Sequence, residues 1–265
     1  MMKPILDAHI HFDLYPSDER ERMIASFADE GIQGVITVSN HLPSCKENLR
    51  LQQHAPSMIF PAYGYHPEQE LPSPQDEREL FQWIREHHTG MAAIGEVGLP
   101  YYMRKEHESE GRPFELQPYI DLLERFVSLA AELNKPIVLH AVYEDAETVC
   151  DLLEKHRIQK AHFHWFKGSS DTLKRLEANG FSISVTPEVV YRDKIREIVR
   201  QYPLELLMVE TDGPWPFDGP YAGKRTYPCM IRDAISAIAA IQERSLEETT
   251  TILYDNTCKF YNLSF

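Results

Sequence analysis

The sequence predicts an α/β fold, a (β/α)8 TIM-type barrel forming a single domain over residues 1–265. Three observations point there. Strand-like and helix-like runs alternate along the chain, and parallel neighbours in a sheet need such helical crossovers. The runs make eight strand-then-helix units, the number that closes a barrel, within a length usual for that fold. An open doubly wound sheet would expect a phosphate-binding glycine loop after an early strand, and none is present. Gly219-Pro220-Tyr221-Ala222-Gly223-Lys224-Arg225 has a Gly-Lys pair, but its glycine spacing is wrong and Arg225 replaces the Ser or Thr of a phosphate loop.

The first unit opens on Leu6-Asp7-Ala8-His9-Ile10-His11-Phe12-Asp13, read as a strand over residues 5–10 and followed by a helix over 18–30. Side chains two apart on a strand share a face, so Asp7, His9 and His11 point the same way. Two imidazoles held close together make a seat for a divalent cation; a core strand whose histidines each find a hydrogen-bond partner is the alternative. Further strands are expected at 35–39, 59–63, 93–96, 137–140, 161–164, 182–186 and 206–210. Helices fall between them at 45–54, 74–88, 114–133, 145–155, 170–178 and 192–201, and two more, at 227–243 and 246–260, finish the chain. Ser73-Pro74-Gln75-Asp76 supplies an N-cap serine with proline at the first helical position, and Ser245 with Glu248 forms a capping box. Gly31, Gly90 and Asn179-Gly180 sit where helices should stop. Asn134-Lys135-Pro136 separates the long helix from the next strand.

Apolar residues make up 43% of the chain, enough for a substantial core, yet no apolar run approaches the roughly 20 residues of a membrane helix. Met1-Met2-Lys3-Pro4 leads straight into the first strand with no room for a secretory signal, which reads as a soluble, cytoplasmic protein. Asn262-Leu263-Ser264 matches a glycosylation sequon and, without such a signal, is read as chance. Cys45, Cys150, Cys229 and Cys258 are scattered, which suits reduced thiols and argues against a cysteine-ligated zinc site. The formal charge of −14 repels nucleic acid at long range, which argues against a large nucleic-acid interface but leaves room for a small pocket.

In such a barrel, chemistry sits at the carboxyl ends of the strands. His9 and His11 end the first strand, Glu96 the fourth, His140 the fifth and His164 the sixth, while Asp212 follows the eighth. Each alone reads as a satisfied polar group at a strand end; six at equivalent ends do not. They are too many for one tetrahedral zinc with an open position, and they suit two metals sharing a bridging carboxylate. Imidazole favours zinc, manganese, iron or cobalt over magnesium, and carboxylates accept them all. The expectation is therefore two divalent ions (zinc, manganese or magnesium), their identity open. His162 shares a face with His164 and is read as a barrel-interior histidine, with support of a ligand as the alternative. Tyr101, Tyr102 and Trp215 are read first as packing and second as surfaces on which a base could stack.

Seven segments, in this order, resemble the TatD family of metal-dependent hydrolases, a branch of the amidohydrolase superfamily. They are Asp7-Ala8-His9-Ile10-His11-Phe12-Asp13, Gly64-Tyr65-His66-Pro67, Ile94-Gly95-Glu96-Val97-Gly98-Leu99, Leu139-His140, His164-Trp165-Phe166-Lys167-Gly168-Ser169, Glu210-Thr211-Asp212-Gly213-Pro214 and Asn256. The resemblance covers nearly the whole chain. It implies that His9, His11 and Asp212 hold one metal, that His140 and His164 hold the other, and that Glu96 bridges them. It also implies a hydrolase that cleaves phosphodiester bonds of DNA in the manner of an exonuclease, since relatives are reported to do so and some remove D-amino acids from tRNA. Water shared by two cations ionises near neutral pH and becomes the nucleophile. Asp212 would orient it or take its proton, and His66 would stabilise substrate from across the mouth. Arg104, Lys105, Lys167, Lys224 and Arg225 are the cations expected nearest the rim, with Arg104, Lys224 and Arg225 taken as the substrate contacts.

The sequence departs from the family pattern beside the pocket. Pro100 stands where many relatives have Asp, Ala141 and Val142 where Ser and Arg are common, Trp165 and Lys167 where Cys and Ser are usual, and Thr226 where Asn is frequent. No ligand is lost, so the chemistry is kept and the substrate is left open. A DNA strand end is the first expectation, and a small phosphate, ester, lactone or amide (an aminoacyl ester included) the second. Neither a membrane nor a protein partner is implied.

Overall fold

A computed structural model describes residues 3–265; Met1 and Met2, on which the expected absence of a leader partly rests, lie outside the described residues. Eight parallel strands run in sequence order: β1 Ile5–Ile10, β2 Ile32–Thr37, β3 Ile59–Tyr63, β4 Ala93–Gly98, β5 Ile137–His140, β6 Ala161–Phe163, β7 Ser182–Val185 and β8 Leu207–Val209. Ladders join each to the next. Between and after them lie α1 Ser17–Glu30, α2 Leu42–His54, α3 Pro74–His87, α4 Tyr101–Ser109, α5 Gln117–Leu133, α6 Asp145–Lys155, α7 Ser170–Ala178, α8 Asp193–Gln201, α9 Ile231–Ile241 and α10 Leu246–Tyr261. This is the (β/α)8 barrel that the alternation predicts.

The first and last strands meet through backbone rather than through a regular ladder. Asp212 N–H donates to His9 O at 3.0 Å and His11 N–H to Gly213 O at 2.8 Å. Asp7 fastens the same seam one layer lower, its carboxylate accepting from Thr211 N–H at 3.0 Å and Thr211 Oγ1 at 2.5 Å. Burial pushes the Asp7 carboxyl up to about 7 against those bonds. The seam is tight at Gly213, where a Cβ would come within 2.0 Å of the Tyr15 hydroxyl.

Several local signals act as read. The Ser73 and Ser245 side chains accept from Asp76 N–H and Glu248 N–H at the starts of α3 and α10. Gly31 and Asn134 end α1 and α5 in the left-handed conformation, as a helix C-terminus favours. Other limits differ. α5 starts at Gln117 rather than 114, with Pro118 at its first turn, and α9 starts at Ile231 because Pro228 opens a separate 3-10 turn over Pro228–Met230. The helix over Tyr101–Ser109 is absent from the sequence reading, since it buries no residue and so has no apolar stripe. All four cysteines are free. Among the described residues no helix is long and apolar enough to cross a membrane.

Two apolar layers hold the barrel. The larger lies between strands and helices, with Phe27, Phe126, Phe163 and Ile235 among its buried members. The smaller packs Ala62, Ala93, Val138 and Met208 against Phe260 and Tyr261 from the end of α10. Val138 stands two residues before His140, and Met208 two before Glu210, so this layer shares their face and floors the barrel interior beneath the carboxyl-end site.

Candidate metal centre

Six side chains from five strand ends converge on one rim, and Glu96 stands at their centre. Its Oε2 lies 3.1 Å from His9 Nε2 and 3.3 Å from His11 Nε2, each of which is also 3.4 Å from Asp212 Oδ1. Its Oε1 lies 2.7 Å from His164 Nε2 and 3.0 Å from His140 Nδ1. One carboxylate thus offers a separate oxygen to each of two donor groups. The rings pack closely, His9 stacked on His164 with centroids 3.9 Å apart. His66 approaches Glu96 Oε1 at 3.4 Å from the mouth. Close strand approach places these groups: a Cβ at Gly98 would meet His140 O at 1.9 Å. Asp212 and Trp165 sit at positive φ, 49° and 37°, a conformation that residues other than glycine hold mainly where surroundings impose it.

Buried polar atoms ordinarily find partners. Here both ring nitrogens of His9, Nδ1 of His11, Oε2 of Glu96 and Oδ1 of Asp212 are buried without a hydrogen bond. Their mutual distances are short, but they are not aligned as hydrogen bonds. A set of nitrogen and oxygen atoms converging out of hydrogen-bond alignment fits divalent cations. The charges agree. Burial works to raise Glu96, but His164, His66 and His9 outweigh it and hold the carboxyl well below the usual range. Asp212 is likewise held low against burial by His11 and His9. Burial would lower His11, yet Asp212 and Glu96 push it up to about 10, and Glu96 and Glu210 raise His164 in the same way. At His66 burial prevails and lowers it.

The cavity over the centre has a volume of 430 Å³, and Tyr102, Val142, Trp165, Trp215 and Pro216 supply the apolar part of its wall. Lys167 is the one Lys or Arg among its lining residues, held 4.2 Å from the Trp165 ring centre and 3.6 Å from Glu188. The three cations expected to touch substrate do not line it. Arg104 pairs with Asp145 at 2.5 Å, and Arg225 spans both oxygens of Glu19 at 3.1 Å while lying over Tyr15. Lys224 reaches toward the Tyr221 ring. Lys105 pairs with Glu108 and Glu144. Each side chain found a carboxylate or an aromatic face nearer than the rim.

Two acidic residues at the site have no assigned role in the sequence reading. Glu68 accepts from Tyr102 and Met103 N–H at the start of α4, at 2.8 and 2.7 Å, and lies 3.2 Å from His140 Nε2. Glu210 accepts from Trp165 N–H at 2.7 Å and stands 3.4 Å from His164 Nδ1, within ion-pair reach though not aligned as a hydrogen bond. The signal for Glu68 was its place two residues after His66; the signal for Glu210 was its place two residues before Asp212.

A parallel barrel with histidine and carboxylate donors gathered at its carboxyl end is the frame of a metal-dependent hydrolase, and the sequence matches proteins of that class. The match can be carried further, to a family: residues 6–262 fit the model described as TatD related DNase, and the chain belongs to that family. An uncharacterized metal-dependent hydrolase of Haemophilus influenzae is 36% identical over 260 residues, covering 98% of this chain and all of the relative. Human deoxyribonuclease TATDN3 is 25% identical over 266 residues, covering 97% of this chain and 94% of that protein. The crystal structure of YjjV, a TatD homolog from Escherichia coli, superposes with a TM-score of 0.86 at 23% identity, covering 98% of both chains.

Proposed function

We propose that the protein is a binuclear hydrolase that cleaves phosphodiester bonds at a DNA strand end. The observation that carries the two-metal reading is Glu96, whose Oε2 faces His9 and His11 while its Oε1 faces His140 and His164. His9, His11 and Asp212 would hold one cation, His140 and His164 the other, with Glu96 between them; zinc, manganese and magnesium are the candidates. Two bound cations would make water acidic near neutral pH and polarise the phosphoryl oxygen under attack.

The chain's own residues do the rest. Asp212 is both in the donor group and on the cavity wall, so it is placed to orient the attacking water and to take its proton. His66 accepts from Glu68 N–H through Nδ1 at 3.1 Å, so its neutral ring carries the proton on Nε2 and can donate it to a substrate oxygen. Tyr102 and Trp215, 46% and 51% exposed, offer faces on which a terminal base can stack. DNA as substrate is supported by the family and by the deoxyribonuclease name of a human relative.

The cavity also favours a second reading. Its size falls in the small-molecule range, and its wall is mostly aromatic and aliphatic with one lysine. A small ester, lactone or amide with an apolar group, an aminoacyl ester among them, would fit such walls.

Purified protein with Mn²⁺, Mg²⁺ or Zn²⁺ and end-labelled single-stranded DNA tests the first reading. Mononucleotide release that disappears in His140→Ala and Asp212→Ala is the expected result, and full turnover by both variants would overturn it. Turnover of an ester or lactone panel with DNA left intact would establish the second reading. Because one lysine lines the cavity, log affinity for DNA should fall only shallowly with log salt, at a slope of about −0.7 per phosphate neutralised by a side chain.

A further inference from the structure

Beneath the donor layer lies a second polar group that no part of the proposed chemistry uses. His162, Ser184 and Glu210 are wholly buried and Tyr261, from the last turn of α10, is 3% exposed. None of the four lines the cavity. Their contacts are short: Tyr261 Oη to His162 Nδ1 at 2.7 Å, His162 Nε2 to Ser184 Oγ at 2.6 Å and Ser184 Oγ to Glu210 Oε2 at 2.5 Å.

Proton counting gives these contacts a direction. Ser184 has one hydroxyl proton, and the carboxylate beside it can only accept. Ser184 therefore donates to Glu210 and must accept from His162 Nε2–H. In the neutral ring that carries this proton on Nε2, the 2.7 Å contact of Nδ1 with the Tyr261 hydroxyl places a donor on the remaining lone pair. Its Nδ1 is then an acceptor, and Tyr261 donates to it. The Tyr261 hydroxyl also lies 3.2 Å from Ala8 O, the longer of its two contacts. The other Glu210 oxygen takes Trp165 N–H and faces His164 Nδ1.

We propose that Tyr261, His162, Ser184 and Glu210 form a one-directional hydrogen-bond relay that orients His164, so that the end of the C-terminal helix sets how tightly the His140–His164 position holds its metal. The Glu210 carboxylate, 3.4 Å from His164 Nδ1, favours the tautomer with its proton on Nδ1, which leaves Nε2 as the lone pair aimed at Glu96. Each upstream member fixes the rotamer of the next. Tyr261 and His162 are positioning residues: neither touches substrate, and neither is a ligand. This rests on the reading of His164 as a metal ligand.

Co²⁺ binding to the purified full chain, followed by its visible absorption and by competition with a chelator, tests the relay without any assay of turnover. Removing a group that orients a metal-bound histidine costs on the order of 10–100-fold in affinity, and Glu210→Gln should fall in that range. His162→Leu should cost about tenfold and Tyr261→Phe about threefold, a little less for each step away from the metal. His162→Gln, which keeps a donor and an acceptor, should restore part of the loss. Adding Tyr261→Phe to His162→Leu should cost nothing more, because the relay is already broken. Tyr261→Phe keeps the ring packed on Phe260, at 4.8 Å between centroids, so folding is preserved. If His164→Ala binds Co²⁺ like the parent, the ligand reading falls and the relay with it. If His164→Ala weakens binding while Tyr261→Phe and His162→Leu change only the melting temperature of the metal-free protein, the relay alone is overturned.

Discussion

His162 and His164 stand two residues apart at the end of one strand, both buried and both facing the barrel interior. Around His162 each polar atom has a partner, from the Tyr261 hydroxyl to the Glu210 carboxylate. One layer higher, around His164, ring nitrogens and carboxylate oxygens of four neighbouring residues are buried with none. The two layers have the same kinds of residue at the same depth. Burial of polar groups alone therefore does not mark a working site; several unpartnered donor atoms converging on one point do. A structural cluster is complete within the protein, whereas a ligand cluster is complete only with something added.

The largest expected effect separates the layers directly. Glu96→Ala removes the carboxylate common to both donor groups and should lose both ions, seen as metal content after dialysis, with turnover falling to background. Ser184→Ala, at equal depth, should keep its full metal content while weakening affinity modestly. If Glu96→Ala keeps both ions, the distinction between layers fails. Next in size is removal of metal with a chelator. An ion present at 100 times its dissociation constant stabilises the folded state by about 2.7 kcal/mol. For a chain of this length that is a melting shift of about 5–10 °C by calorimetry.

Glu68→Gln comes third. The carboxylate caps α4 and steadies His140, and a hydrogen bond to a charged partner contributes about 1.5–3 kcal/mol. Denaturant unfolding should show a loss of that order, less what the amide oxygen retains. Arg225→Ala should give the smallest change, within about 0.5 kcal/mol as for other surface positions, with turnover unaltered. Its signature is in the pH dependence. Arg225 and then Tyr227 hold the Glu19 carboxyl below its usual range. Their contribution is present above the ordinary carboxylate pKa and is lost as pH falls through the lowered one. The variant should lose that small acid-side slope in a melting-temperature series.

The barrel and the donor set were readable from the sequence for the same reason: both repeat. Alternation announces the strands, and each candidate donor sits at the equivalent end of one, where His9, His11, Glu96, His140, His164 and Asp212 meet. What escaped has no such period. α4 buries nothing, so no stripe betrays it, and without α4 nothing suggests that Glu68 faces a helix start rather than solvent. The cations Arg104, Lys224 and Arg225, read as substrate contacts, lie outside the cavity lining, because a sequence does not show which carboxylate or ring lies nearest in space; Asp145, Tyr221 and Glu19 do so here. His162 was read as an interior histidine, which fits its surroundings, but its link to Tyr261 spans 99 positions and has no local trace.

The seam of the barrel has a temporal consequence. The backbone bonds from Asp212 to His9 and from His11 to Gly213 tie the first strand to the segment after the last, and they do so at the candidate donors themselves. During synthesis the first imidazoles emerge long before the carboxylate that completes their group. The donor group of His9, His11 and Asp212 is therefore complete only once the last strand has been made and the ring has closed.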